Sequence, residues 1–158
     1  SRLHFERPNF TQRLADIADR HGVPRHLLEI EITESAIMNN PDAVWVQIVQ
    51  LKEMGFKTAI DDFGAGYSGL NLLAEFQPDI IKLDMELVRH IDTNPVRHAI
   101  VQGILGVCKA LSIEVIAEGV ETLAEYRALR ALGIHYFQGY LFAKPAFEQL
   151  PAIHWPED

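Results

Sequence analysis

The chain has 158 residues, 48% apolar and 23% charged, with a formal net charge of −8. That length and balance fit one globular domain with a substantial core, and they exclude a disordered chain or two ordinary domains. The acidic balance excludes the basic footprint of a DNA-binding protein, and no apolar run approaches the ~20 residues that would insert in a membrane.

Cys108 is the single cysteine. It rules out an internal disulfide and fits a reducing cytoplasm, where this domain is expected even if a parent protein carries an anchor.

In chain order, residues 9–20 form a predicted helix, with Asn9 as its cap and Gly22 as its stop. Residues 28–33 alternate and are β-branched, so they form a predicted strand. A helix follows over 41–54, with Val44, Ile48, Leu51 and Met54 on one stripe and Gly55 after it. Residues 57–61 are a second strand, 68–76 a short helix after a glycine-rich turn, and 79–84 a third strand. The long helix over 94–111 has Asn94 at its cap and Pro95 in the favoured first position. A fourth strand (113–117), a helix (121–132), a fifth strand (134–138) and an extended piece at 140–142 complete the pattern. Alternating strands and helices imply a parallel sheet with helical crossovers.

The chemistry collects at the strand ends. The first strand carries Glu31 and ends near Glu34, and the second ends in Asp61-Asp62. The third ends in Lys82 and Asp84, the fourth in Glu118, and the fifth in Gln138. In parallel α/β folds the carboxyl ends of strands converge on one mouth. Carboxylates gathered there repel one another and need a cation. An all-oxygen set suits Mg²⁺ or Mn²⁺ over Zn²⁺.

Two short motifs compete with this reading. Asp62-Phe63-Gly64 spells a kinase magnesium motif but lacks the other kinase elements. Gly64, Gly66 and Gly69 match the dinucleotide-binding fingerprint, with Asp84 twenty residues past Gly64. That fingerprint would set Asp61 and Asp62 beside a pyrophosphate unmasked and leave the other strand-end acids without a role.

Glu-Ile-Thr-Glu-Ser (31–35), Asp-Asp-Phe-Gly-Ala-Gly-Tyr-Ser-Gly-Leu (61–70), Ile-Lys-Leu-Asp (81–84), Ala-Glu-Gly-Val-Glu (117–121) and Gln-Gly-Tyr-Leu-Phe-Ala-Lys-Pro (138–145) resemble the EAL domain family in order and spacing. The resemblance implies a TIM-type (β/α)₈ barrel that hydrolyses cyclic di-GMP to linear pGpG with Mg²⁺ or Mn²⁺ in a two-metal site. It makes Glu31, Asp61, Asp62 and Glu118 metal ligands, with Lys82 orienting or deprotonating the attacking water. It gives Glu121 the task of holding the loop after Asp62, and it places Gln138, Asp84 and Gly64 near the substrate.

The family's opening strand with Glu-Ala-Leu, its phosphate-contacting arginine and its Asn-Val-Ser turn have no counterpart here beyond Ser1, which matches the serine of that turn. A barrel of this type takes ~250 residues, so the whole chain is expected to be the C-terminal two-thirds of one, without its first two strands. Such an open barrel exposes apolar edges and favours aggregation or pairing with another chain, as a homodimer or a domain-swapped partner. The parent is expected to carry regulatory domains. The alternatives are a module that binds cyclic di-GMP without cleaving it and a piece that is inactive alone.

Overall fold

A computed structural model describes residues 9–66 and 69–156. Ser1, Tyr67 and Ser68 of the family motifs lie outside them. The helix α1 spans Phe10–Arg20, and a 3₁₀ turn at Arg25–Leu27 leads into strand β1, Glu29–Thr33. Helices α2 (Glu34–Asn39) and α3 (Pro41–Glu53) precede β2, Lys57–Phe63. Then come α4 (Gly69–Phe76), β3 (Ile80–Leu83), α5 (Met85–Val88), α6 (Pro95–Leu111), β4 (Glu114–Ala117), α7 (Leu123–Ala131) and β5 (Tyr136–Phe137).

Among the described residues, the strands form one parallel sheet in sequence order, β1-β2-β3-β4-β5, open at both edges. Each crossover carries a helix, which is how parallel neighbours must be connected. Five strands in simple succession match an incomplete (β/α)₈ barrel. The central strands are covered on both faces: Thr58, Ala59 and Ile60 are consecutively buried, as are all four residues of β3. The main core packs Ile60, Phe63, Ile81 and Leu83 against Leu73, Val101, Ile104 and Leu129. A second cluster joins Ala15 and Ala18 of α1 to Leu51 and Phe56.

Several sequence expectations are corrected. Asn9 precedes α1 in a left-handed conformation (φ 62°) and makes no side-chain cap bond. The second strand runs on to Phe63. Residues 34–39 and 85–88 are short helices capped by Thr33 and Asp84, each at a strand end where polar residues read as rim. The fifth strand shrinks to two residues, and residues 140–142 form a turn. Asn94 and Pro95 start α6 as expected, with the Asn94 side chain accepting from the backbone of Val96 and Arg97.

One buried carboxylate ties two connections together. Glu125, 3% exposed, stands opposite Thr122 in a capping box at the start of α7. Its Oε2 accepts from the backbone N–H of Glu121 (3.2 Å) and Thr122 (3.0 Å). Its Oε1 reaches across to the N–H of His90 at 2.9 Å. Burial pushes the Glu125 carboxyl up, but the three backbone donors outweigh it and hold the group below its ordinary value.

A carboxylate depressed by folding stabilises the fold above its unfolded pKa and loses that contribution as pH falls through the folded value. Glu125→Gln is therefore expected to unfold at lower denaturant than the parent above about pH 4.5, with the gap closing in stronger acid. A gap unchanged down to pH 2 in denaturant titrations would contradict this.

Candidate functional site

The site is organised by an irregularity in β2. Ile60 pairs with Ile81, yet the next pair is Phe63 with Leu83, so Asp61 and Asp62 together oppose Lys82 alone. This is a β-bulge, with Asp62 in the left-handed region (φ 55°), a conformation aspartate tolerates better than most residues. In a regular strand consecutive side chains face opposite ways. The bulge removes that restriction. Ligand atoms of Asp61, Asp62 and Glu118 lie within 4.8 Å of one another.

Lys82 stands in the middle of the acids, with its side chain 8% exposed. Its Nζ donates to Glu118 at 2.7 Å, to Glu31 at 2.9 Å and to Asp61 at 2.9 Å, matching three donors to three acceptors. Burial disfavours the ammonium, but the hydrogen bonds to Glu118, Glu31 and Asp61 prevail and hold it above its ordinary value. Glu118 is shifted upward as well. Burial is the main cause, and the like charges of Asp61 and Glu31 add to it against the pull of Lys82. The two directions agree physically: one ammonium shared by three carboxylates is held firmly, while each carboxylate is only partly compensated. Asp62, without a share of the lysine's hydrogen bonds, is raised by burial and by Asp61 and Asp84.

The loop after β2 is held by Glu34, 4% exposed at the first position of α2. Its Oε2 accepts from the backbone N–H of Gly64 at 3.2 Å. A Cβ on Gly66 would run into the same carboxylate, and a Cβ on Gly64 (φ 96°) into Leu87. These glycines keep the loop against its supports.

Glu121, the residue expected to hold this loop, is placed against Arg89 among the described residues. Its carboxylate pairs with Arg89 at 3.3 Å, and Glu34 makes the contact with the described part of the loop. Asp84 accepts from the N–H of Glu86 at 2.7 Å and so caps α5. Gln138 is an exposed residue whose backbone joins the Ala117 and Val120 carbonyl and amide. It shares a cavity of about 790 Å³ with Glu118, Glu121 and Arg89. Glu31 reaches the cluster through Lys82 and lies outside the tight trio of ligand atoms. The sequence reading passed over Arg89 and Glu125; only the Thr-x-x-Glu pattern at 122–125 gave a signal for the latter.

Parallel strands joined by helices, with carboxylates and a lysine gathered at one rim, place the chain in the class of α/β-barrel proteins. The sequence model of the EAL domain family matches residues 1–145. The chain belongs to that family. BluF, a blue light- and temperature-regulated antirepressor of Escherichia coli K12, is 44% identical over 135 residues, 85% of this chain and 33% of that protein. The cyclic di-GMP phosphodiesterase PdeR of the same organism is 43% identical over 126 residues, 80% of this chain and 18% of that one. Klebsiella pneumoniae BlrP1 in a calcium and cyclic di-GMP complex superposes with a TM-score of 0.90 at 42% identity, covering 94% of this chain and 38% of its own. The chain thus spans about a third of BluF and less than a fifth of PdeR.

Glu34→Ala is expected to free the loop that presents Asp62. Amide exchange at Gly64 should accelerate, and Mn²⁺ affinity should fall by about 10- to 100-fold, the usual cost of losing an outer support of a metal site. Unchanged exchange at Gly64 would show that the carboxylate is not what holds the loop.

Proposed function

We propose that this chain carries the metal-dependent site that hydrolyses cyclic di-GMP to pGpG, in a larger signalling protein with regulatory domains. The observation that carries the reading is the convergence of Asp61, Asp62 and Glu118 with Lys82 at the bulge. Support comes from PdeR, named a cyclic di-GMP phosphodiesterase, and from BlrP1, solved with cyclic di-GMP and calcium. An all-carboxylate donor set with ligand atoms within 4.8 Å fits a hard divalent cation. Mg²⁺ or Mn²⁺ are the candidates, and BlrP1 has also been solved with manganese.

Asp61, Asp62 and Glu118 would hold the metal, with Glu31 completing the acidic set. A bound divalent cation supplies Lewis acidity toward the phosphate and lowers the pKa of bound water. Lys82 spends its three N–H donors on Glu118, Glu31 and Asp61 and has no lone pair with which to take a proton; once one of those carboxylates turned to a metal, the freed donor would orient the attacking water. Gln138 lines the adjoining cavity and would contact the dinucleotide there, as would Asp84 and Gly64 from the rim.

A second reading is a receptor that binds the dinucleotide without cleaving it; BluF, named an antirepressor, favours it. Incubation with cyclic di-GMP and Mn²⁺, followed by chromatography, separates the two. The phosphodiesterase reading expects pGpG that disappears on adding chelator. Lys82→Ala should lower turnover by about 100-fold or more while changing ligand binding far less. Equal loss of both would remove Lys82 from the chemistry. Asp61→Asn should abolish metal-dependent turnover, and a near-normal rate would remove Asp61 from the site.

A further inference from the structure

Of the three acids whose ligand atoms converge, Glu118 alone is not part of a strand: β4 ends at Ala117, and Glu118 opens the connection to α7. Its N–H donates to the carbonyl of Leu83 at 3.1 Å, and its carboxylate accepts from Lys82. Further along, the buried Glu125 accepts from the N–H groups of Glu121 and Thr122. Between these anchors lies Val120, which is buried, and its peptide is gripped by the turn that follows β5. The Val120 N–H donates to the carbonyl of Gln138 at 3.1 Å, and the Val120 carbonyl accepts from the N–H of Leu141 at 3.1 Å.

Gly139 sits inside that grip. A Cβ at this position would overlap the backbone N, C and O of Val120, with the carbon only 2.7 Å away. Carbon atoms ordinarily approach to about 3.5–4.0 Å, so a methyl there would displace one backbone or the other by roughly 1 Å. Gly139 lies outside the left-handed region, so the close approach, and not the backbone conformation, demands glycine. Only Gly119 separates Val120 from Glu118, and Gly119 is packed against Met85 closely enough that a Cβ there would meet the methionine side chain. A displaced Val120 peptide therefore passes its shift along the chain to Glu118.

We propose that Gly139 is a positioning residue for the metal site: by letting the turn after β5 close on the Val120 peptide, it sets where the Glu118 carboxylate stands relative to Asp61 and Asp62. This rests on the reading of those three acids as metal ligands. Gly139 has no side chain with which to reach an ion, so its whole effect runs through the backbone. The ligand atoms of the three acids span no more than 4.8 Å. A shift of roughly 1 Å in one of them is a large fraction of that span, and misplacements of this size from outside a site are costly.

Calorimetric titration of the chain with Mn²⁺ alone, with no dinucleotide present, tests the assignment. Gly139→Ala should bind Mn²⁺ about 10- to 100-fold more weakly, and water-proton relaxation should show more water on the bound ion. Gly133→Ala controls for general destabilisation: its backbone is left-handed (φ 98°), but a Cβ there meets nothing within 4 Å. It should bind Mn²⁺ as the wild type does. In Glu118→Gln, which itself weakens binding, adding Gly139→Ala should cost little more, because the effect runs through Glu118. Losses that multiply, or wild-type affinity in Gly139→Ala, overturn the inference and leave the metal site standing. Undiminished affinity in Glu118→Gln, or a wild type that binds no Mn²⁺, overturns the reading of the site as well. Should Gly139→Ala fail to fold, the wild type decides. Coupling is reciprocal, so Mg²⁺ should slow amide exchange at Val120 and Leu141 more than at Gly133 and Ile134, which bond at the far end of β5. Equal slowing at both places overturns the inference.

Discussion

The structure depends first on one ammonium among three carboxylates. Lys82 lies on a fully buried strand with its nitrogen within 2.9 Å of Glu31, Asp61 and Glu118. Half-exposed pairs elsewhere, such as Lys57 with Glu114 at 3.8 Å, contribute at most about 1 kcal/mol. Glu31 is itself half exposed, but Asp61 and Glu118 are more buried, and removing one partner from a buried, hydrogen-bonded pair costs about 3–5 kcal/mol, because the survivors are left uncompensated. The lysine therefore permits the acids to share a rim at all. The bulge in turn permits Asp61 and Asp62 to meet it from consecutive positions.

Around this centre the fold repeats one device. Glu34 and Glu125 are buried carboxylates that accept backbone N–H groups of neighbouring connections, Gly64 in one case and His90, Glu121 and Thr122 in the other. A buried carboxylate must find donors, and loop amides must find acceptors. Each need is met by the other, and the result is a loop fixed to a strand end without a strand of its own. Groups meant to act on a ligand gain from such support, since small displacements are costly in a reacting geometry.

How far the sequence could be read follows from these same particulars. Alternation marked the first strand and short apolar runs between helices marked the others, and the polar residues at their ends marked the rim, because parallel strands can only present their carboxyl ends together. The bulge was illegible: nothing in Ile60-Asp61-Asp62-Phe63 says that a two-residue step on one strand answers a one-residue step on its neighbour. Glutamates three apart, 31 on β1 with 34 at the start of α2, and 118 and 121 after β4, pose a subtler problem. The first of each pair reaches Lys82, whereas the second goes elsewhere. Strand order decides which one holds the Asp61-Asp62 loop. β1 adjoins β2, so Glu34 is a neighbour of that loop, whereas β3 stands between β2 and Glu121. Local spacing is identical in the two pairs; only the sheet distinguishes them.

The charge balance of the site connects this geometry to its proposed ligand. Glu31, Asp61, Asp62 and Glu118 against Lys82 alone leave three negative charges uncompensated at the rim of a protein whose net charge is already −8. Burial is the main cause of the upward shifts of Asp62 and Glu118, and the neighbouring acids add to both. A dinucleotide with two phosphodiester charges would be repelled by the bare site. One divalent cation still leaves the acids in excess, whereas two reverse the sign and turn repulsion into attraction. On the proposed reading, the acids that make the rim hostile to phosphate are what make phosphate binding conditional on metal. Lys82, hydrogen-bonded on all three donors, is too few charges to do it alone.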